Sequence, residues 1–285
     1  MTAQVVVGVD GSDESLAAVD WAAAEAVFRQ VPLGLMCVEE LPAAPEVPVV
    51  QFEEATERAA TLLRETVQRV QTGHPGLEVF AMQTRGRAAE ELTAAVNEAD
   101  LAVLGSRGLG RAFGFLVGSV SLGVVAAAQK PVVLVRAEDE RPAASRDIVV
   151  GIDLHRGCEA LLAFAFPEAA RRQLTLRFLH SWTLPASYGY AALMDSALGV
   201  DQSKKLAEEL NGLLGPWREQ YPEVEATAKA VVGSPAFQMA EASQEAELVV
   251  VGRRARKVPL GPHLGHVAQA VIHHSPAPVV VVPQP

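Results

Sequence analysis

The sequence predicts two tandem α/β domains, each a five-stranded parallel sheet with helices on both faces. Three observations lead there. The chain has 285 residues, too many for one average domain and about right for two, because single cores usually stop growing near ~250 residues. It also repeats itself: VVVGVD at 5–10 returns as IVVGID at 148–153, 143 residues later, whereas LAVLG at 101–105 and PVVLV at 131–135 return as LVVVG at 248–252 and PVVVV at 278–282, both 147 residues later. Finally, short apolar runs without polar alternation, the mark of strands covered on both faces, alternate with longer segments of helical period.

In the first half, the runs at 5–9, 33–38, 77–82, 101–104 and 132–135 read as strands. Between them, 13–29, 53–71, 88–98 and 119–129 are long enough for right-handed crossover helices. The second half repeats the order, and the four-residue change of spacing must fall between its first and fourth strands. The joint AEDERPAASR at 137–146 is charged, contains proline and lacks periodic hydrophobics, as linkers do. The expected domains are therefore 1–140 and 146–285.

Composition narrows the function. With 49% hydrophobic and 20% charged residues the chain can build cores and has no disorder signature. Lys plus Arg number 24 against 34 Asp plus Glu, a net charge of −10, so the global field repels nucleic acid and anionic lipid, and an anion site must be a local basic island. Two cysteines, Cys37 and Cys158, fit a reducing compartment better than a disulfide framework. Cys158 stands near a helix start, where a thiol pKa can fall, but an inert thiol is the expectation. The N-terminal MTAQVVVGVD has no basic segment, and the apolar stretch 116–128 is broken by Gly and Ser, short of the ~20 residues of a span. A cytoplasmic protein with no membrane partner is expected.

The stretch LGSRGLGRAFGFLVGSVSLG at 104–123 is rich in glycine and arginine and has no acidic residue. Its spacing is Gly105, two residues, Gly108, nine residues, Gly118-Ser119. An early glycine lets the chain leave a strand with unusual dihedrals and lets a ligand reach bare backbone; the last delivers the chain into a helix N-terminus, where amides and dipole attract phosphate. Ser119 adds an amide and a hydroxyl, and Arg107 and Arg111 add charge suited to phosphate oxygens. The plain alternative is an ordinary βα loop in which Ser119 only caps its helix. No G-x-x-x-x-G-K-[ST] is present, and position 113 is not the third glycine of a dinucleotide fingerprint.

With VVVGVDGS at 5–12 and PVVLV at 131–135, this loop resembles the universal stress proteins in their tandem, ATP-binding form, and the resemblance covers both halves. It implies doubly wound sheets of order 3-2-1-4-5, with adenosine between the first and fourth strands. It also implies Asp10 at the ribose, the Val38 backbone at the adenine, and Gly105, Gly108, Gly118, Ser119, Val120 and Ser121 at the phosphates. A carboxylate acceptor such as Asp10 is independently what a ribose hydroxyl wants, with a helix cap as the alternative reading. The cofactor implied is ATP, with or without Mg.

The second half departs from the pattern. Gly252, two residues, Ala255, nine residues, Gly265-His266 keeps the spacing but loses the middle glycine and the hydroxyl. Asp153 is retained, while DGS has become DLHRG. Arg253, Arg254, Arg256 and Lys257 make its loop more basic, so phosphate attraction can persist without a nucleotide pocket. His263, His266, His273 and His274 raise a metal hypothesis, but no Cys or carboxylate cluster completes a ligand set, and no metal is expected. His180 reads as a strand-end histidine with a satisfied hydrogen bond.

The functional expectation is a non-catalytic ATP-binding stress-response protein acting as a nucleotide-dependent regulator. The loop has no lysine, and apart from Asp10 no carboxylate is evident as a water-activating base. The alternatives are a slow adenine-nucleotide hydrolase or transferase of the same broad fold, or a ligand-free interaction scaffold. Besides the adenine nucleotide, the expected partners are the two domains to each other, as a pseudo-dimer through the edges 131–136 and 278–282, with a homodimer left open.

Overall fold

The structure, a computed structural model, describes residues 4–40, 49–106, 117–137, 147–183, 196–254 and 264–284. The chain divides into two compact units, Met1–Asp139 and Glu140–Pro285.

In the first unit the order is β1 (Val5–Gly8), α1 (Asp13–Arg29), β2 (Leu33–Glu40), α2 (Val49–Gly73), β3 (Val79–Gly86), α3 (Ala88–Glu98), β4 (Leu101–Gly105), α4 (Ser119–Ala127) and β5 (Val132–Val135). The strands are all parallel, in spatial order β3-β2-β1-β4-β5. Helices α1 and α2 pack on one face of the sheet, α3 and α4 on the other. Strands β1, β4 and β5 are runs of Val, Leu and Ala buried on both sides, where β-branched side chains fit the pleat. Each helix boundary has a local cause. Ser12 caps α1 by accepting the Ser15 amide, and acidic Asp13 and Glu14 favour the positive end of the dipole. At the far end Gln30 takes the left-handed conformation, φ 56°, and closes the helix.

The second unit repeats the pattern: β6 (Asp147–Gly151), α5 (Glu159–Arg172), β7 (Thr175–Trp182), α6 (Ser196–Gln220), β8 (Ala226–Val232), α7 (Pro235–Ala242), a 3-10 turn (Ser243–Glu245), β9 (Leu248–Arg254), α8 (His266–His274) and β10 (Val279–Gln284). Its parallel sheet runs β8-β7-β6-β9-β10. Phe166 of α5 stacks on Phe178 of β7 and on Trp217 of α6, with ring centroids 5.7 and 5.6 Å away, which ties both helices to the sheet. Gln173 repeats the left-handed cap of Gln30, at φ 55°. The buried pair Glu25–Arg29 also returns as Glu168–Arg172.

Where the two units go out of step is now visible. Gly8 pairs with Met36 and Gly151 with Leu179, still 143 apart, whereas Val79 and Ala226, partners of Leu33 and Leu176, are 147 apart. Helices α2 and α6 already differ by 147 at both ends. The four extra residues therefore fall between β7 and α6.

Several boundaries differ from the sequence reading, among them those of β2, α2 and β3. Strand β3 runs Val79–Gly86 rather than 77–82. As the outermost strand it is only half covered, and alternating exposure through Gln83 and Arg85 conceals it from a search for continuous apolar runs. Helix α5 starts at Glu159, three residues later than the equivalent of Asp13. Gly157 and Cys158 stand where Glu14 and Ser15 supply the first turn of α1, and Cys158 gives no side-chain cap.

Candidate functional site

The ends of β1 and β4 and the starts of α1 and α4 converge in the first unit. At Gly105, the last residue of β4, a Cβ would lie 2.7 Å from the Glu14 carbonyl carbon and 2.9 Å from the Ser15 amide nitrogen. Backbone that close excludes any side chain. Packing against α1, rather than an unusual dihedral, is thus the reason for glycine here, since the positive-φ glycines among the described residues are Gly11, Gly76, Gly86 and Gly233.

Gly118 is the N-cap of α4, at φ −61° and ψ 148°, and no side chain caps the helix. Ser119 is exposed and already helical, so the reading of Ser119 as a cap is corrected. Ser119, Val120 and Ser121 occupy the first turn, whose amides have no partner inside the helix. A Cβ on Gly118 would meet nothing within 4 Å. The Ser121 hydroxyl is committed elsewhere: it donates to the Gly105 carbonyl at 2.8 Å. What Ser121 offers a ligand is therefore its amide. Arg107, Gly108 and Arg111 lie outside the described residues.

Asp10 sits just past β1. Its Oδ1 accepts the Ser12 amide at 2.9 Å and the Ser12 hydroxyl at 2.5 Å, a turn that Gly11 permits at φ 82°. Since the cap of α1 is Ser12, with its Oγ accepting the Ser15 amide at 3.2 Å, the reading of Asp10 as a cap is corrected as well. Ser12 was missed in the sequence, although a serine followed by Asp13-Glu14 is an N-cap signal. Asp13 and Glu14 stand at the same end, carboxylates that the sequence did not flag.

Met36 in β2 accepts the Val9 amide at 2.8 Å. Alternation along the strand turns the peptide groups of Val38 to that same side, just past the end of β1. Its neighbour Cys37 is buried; desolvation, then the Glu39 and Asp10 carboxylates, push its thiol pKa up. That thiol is not primed for chemistry. The site as a whole offers a carboxylate to hydroxyl groups at one end and helix amides to an anion at the other.

The profile of the Universal stress protein family matches residues 1–136 and again residues 144–283. The chain belongs to the universal stress protein family. A universal stress protein of Mycobacterium tuberculosis is 35% identical over 309 residues, covering 98% of this chain and 95% of that protein, and one of Mycolicibacterium smegmatis is 33% identical, covering 98% and 96%. The crystal structure of a universal stress protein from Archaeoglobus fulgidus superposes over 99% of this chain and 98% of that one, with a TM-score of 0.75 at 21% identity, a likeness of fold.

In this universal stress protein the second unit builds the same corner differently. Asp153 accepts the His155 amide at 3.2 Å, as Asp10 accepts that of Ser12. Its other oxygen is held by Arg156 at 3.0 Å and Arg254 at 3.3 Å; the equivalent of Arg156 in the first unit is Asp13. His180 takes the place of Cys37. Its Nδ1 donates to the Ile152 carbonyl at 3.0 Å, the hydrogen bond expected of it, while its buried Nε2 has no partner among the described residues. His155 lies edge-on to that ring, with centroids 6.1 Å apart. A Cβ on Gly252 would meet side chains, Gln284 at 3.1 Å and Leu161 at 3.5 Å, rather than the backbone of a helix start. Helix α8 begins at Gly265 and His266 with no side-chain cap. The Cys158 thiol pKa is pushed up by burial and by Glu159 despite its place at a helix start. Ala255, Arg256, Lys257 and His263 lie outside the described residues.

Among the described residues no cluster of three or more His, Cys, Asp or Glu side chains could hold a metal ion. No described helix is long and apolar enough to cross a membrane.

Proposed function

We propose that the first domain, residues 1–140, binds an adenine nucleotide, ATP foremost, and that the protein is a nucleotide-dependent regulator in the cytoplasm rather than an enzyme. The observation that carries this reading is the start of α4 at Gly118, which no side chain caps and where a Cβ would meet nothing within 4 Å, in the corner that also holds Asp10. In the proposed complex the Asp10 carboxylate takes a ribose hydroxyl and the Val38 peptide groups meet the base. The amides of Ser119, Val120 and Ser121 face the phosphates together with Gly108 and Arg107, while Gly105 keeps that wall close to α1.

The second domain, residues 146–285, is proposed to bind the nucleotide more weakly or not at all. Asp153 is already engaged by Arg156 and Arg254, and the imidazole of His180 stands at the base end, where the first domain has Cys37.

Denaturing protein purified without added nucleotide, and identifying the released small molecule by mass spectrometry, tests the reading; calorimetry with ATP then counts the sites. One strong site per chain is expected, and no binding at millimolar ATP would sink the proposal. A timed assay with labelled ATP separates binder from hydrolase, with turnover at or below the background rate expected.

A further inference from the structure

Beside Val38, four polar side chains knit the end of β2 to α2 and β3. The Thr56 hydroxyl of α2 donates to Glu39 Oε2 at 2.9 Å. The Gln83 amide donates to Glu39 Oε1 and, at 3.0 Å, to the Thr56 carbonyl. Arg85 completes the set, 3.3 Å from Glu39 Oε2 and 2.5 Å from the Thr56 hydroxyl. The Glu39 side chain is only 12% exposed. Burial alone would raise its pKa, but the bonds from Gln83, Thr56 and Arg85 outweigh burial and hold the carboxyl below its usual range, so it stays ionised and accepts from all three.

The position recurs. In the second unit the equivalent of Glu39 is Trp182 and that of Thr56 is Ser203, and the Trp182 ring N–H donates to the Ser203 hydroxyl at 3.1 Å. The residue pair has changed completely, yet a strand-to-helix bond survives at the same place. Such a bond fixes the peptide before residue 39, and that peptide carries the carbonyl of Val38.

Resting on the reading of Val38 as the residue that meets the base, we infer that Glu39, through its bonds to Thr56 and Gln83, is a positioning residue that sets selectivity for adenine. A carbonyl acceptor held in place pairs with the 6-amino group of adenine and faces the 6-oxo group of hypoxanthine as acceptor against acceptor. The penalty for the wrong base therefore depends on that carbonyl being unable to turn away.

The test compares ATP, ITP and inorganic tripolyphosphate by calorimetry on the full chain and on Thr56→Val and Glu39→Gln. Thr56→Val removes a donor at nearly constant volume. Glu39→Gln places an amide donor against neighbours that themselves donate. Each variant should narrow the preference for ATP over ITP by about fivefold, the equivalent of roughly one hydrogen bond, with tripolyphosphate affinity unmoved. Loss of thermal stability with the ATP-to-ITP ratio intact in both variants overturns the inference and leaves Glu39 a structural residue. A parallel fall for all three ligands overturns it too. If the unaltered protein binds tripolyphosphate but does not distinguish ATP from ITP, the base reading fails and the phosphate reading stands; if it binds none of them, the proposed function itself fails.

Discussion

The Ser121 hydroxyl donates to the carbonyl of Gly105 at 2.8 Å, joining residues 16 apart in sequence and fastening the first turn of α4 to the last residue of β4. One residue thus divides its groups between two tasks: the hydroxyl serves the fold, and the amide is the group proposed to meet the phosphates. Replacing Ser121 with Ala should therefore destabilise the first unit by about 1–3 kcal/mol, the cost of an unsatisfied acceptor in a part-buried setting, while ATP affinity falls less than tenfold. Hydrogen exchange of peptides from residues 100–125 together with calorimetry checks this; unchanged protection would remove the fold role assigned to the hydroxyl.

Gly105 and Gly118 should part company under the same change. A Cβ at Gly105 meets the backbone of Glu14 and Ser15 at 2.7–2.9 Å, so Gly105→Ala should cost about 1–3 kcal/mol of first-unit stability, as overpacking does. Gly118→Ala meets nothing within 4 Å and should leave stability unchanged within about 0.5 kcal/mol but weaken ATP, because the methyl intrudes where the proposed complex has its phosphates. Denaturant titration followed by calorimetry separates the two, and a Gly118→Ala variant with full ATP affinity would put the phosphates elsewhere.

Asp10 and Asp153 give a matched pair of substitutions. Asp10→Ala should weaken ATP by about ten- to a hundredfold, the range for one charged-group hydrogen bond. Asp153→Ala should leave ATP binding as it was and, because its partners Arg156 and Arg254 are about half exposed, change stability by no more than about 1 kcal/mol. Binding lost only with Asp153→Ala would transfer the site to the second unit.

Glu39 supplies a pH signature. Its folded-state pKa is depressed, so its stabilising contribution is present above the ordinary carboxyl range, about pH 4.3, and is lost as pH falls through the folded value. Glu39→Gln should flatten the acid limb of first-unit stability below about pH 4.3 and leave the neutral region parallel to the parent. Urea midpoints from pH 3 to 7, read on first-unit peptides by hydrogen exchange, provide the measurement; identical acid limbs would refute the role of this carboxylate.

The sheet was legible in the sequence because both halves write their central strands as unbroken Val, Leu and Ile, and the internal repeat sets their order along the chain. What escaped depended on edges and on first turns. Strand β3 hides its length behind Gln83 and Arg85, since an outer strand need not be apolar on both faces. The late start of α5 follows from Gly157 and Cys158 replacing a helix-initiating acidic turn, a difference apparent only once the two halves are aligned residue by residue. At the site, the carboxylate and the loop glycines stood out by type, whereas their reasons did not. That Gly105 is glycine because of Glu14 and Ser15 is a contact between segments 90 residues apart in number, and no local pattern reveals it. Ser12 and Glu39 looked like ordinary surface polar residues until their partners appeared.

The four residues gained between β7 and α6 have a wider meaning. They enter between a strand and a helix, and the pairings of β7 with β6 and β8 keep the register of β2 with β1 and β3. A duplicated chain can therefore change length in one copy without shifting a single strand pairing, so the two copies are free to diverge at that connection while both sheets keep the same register.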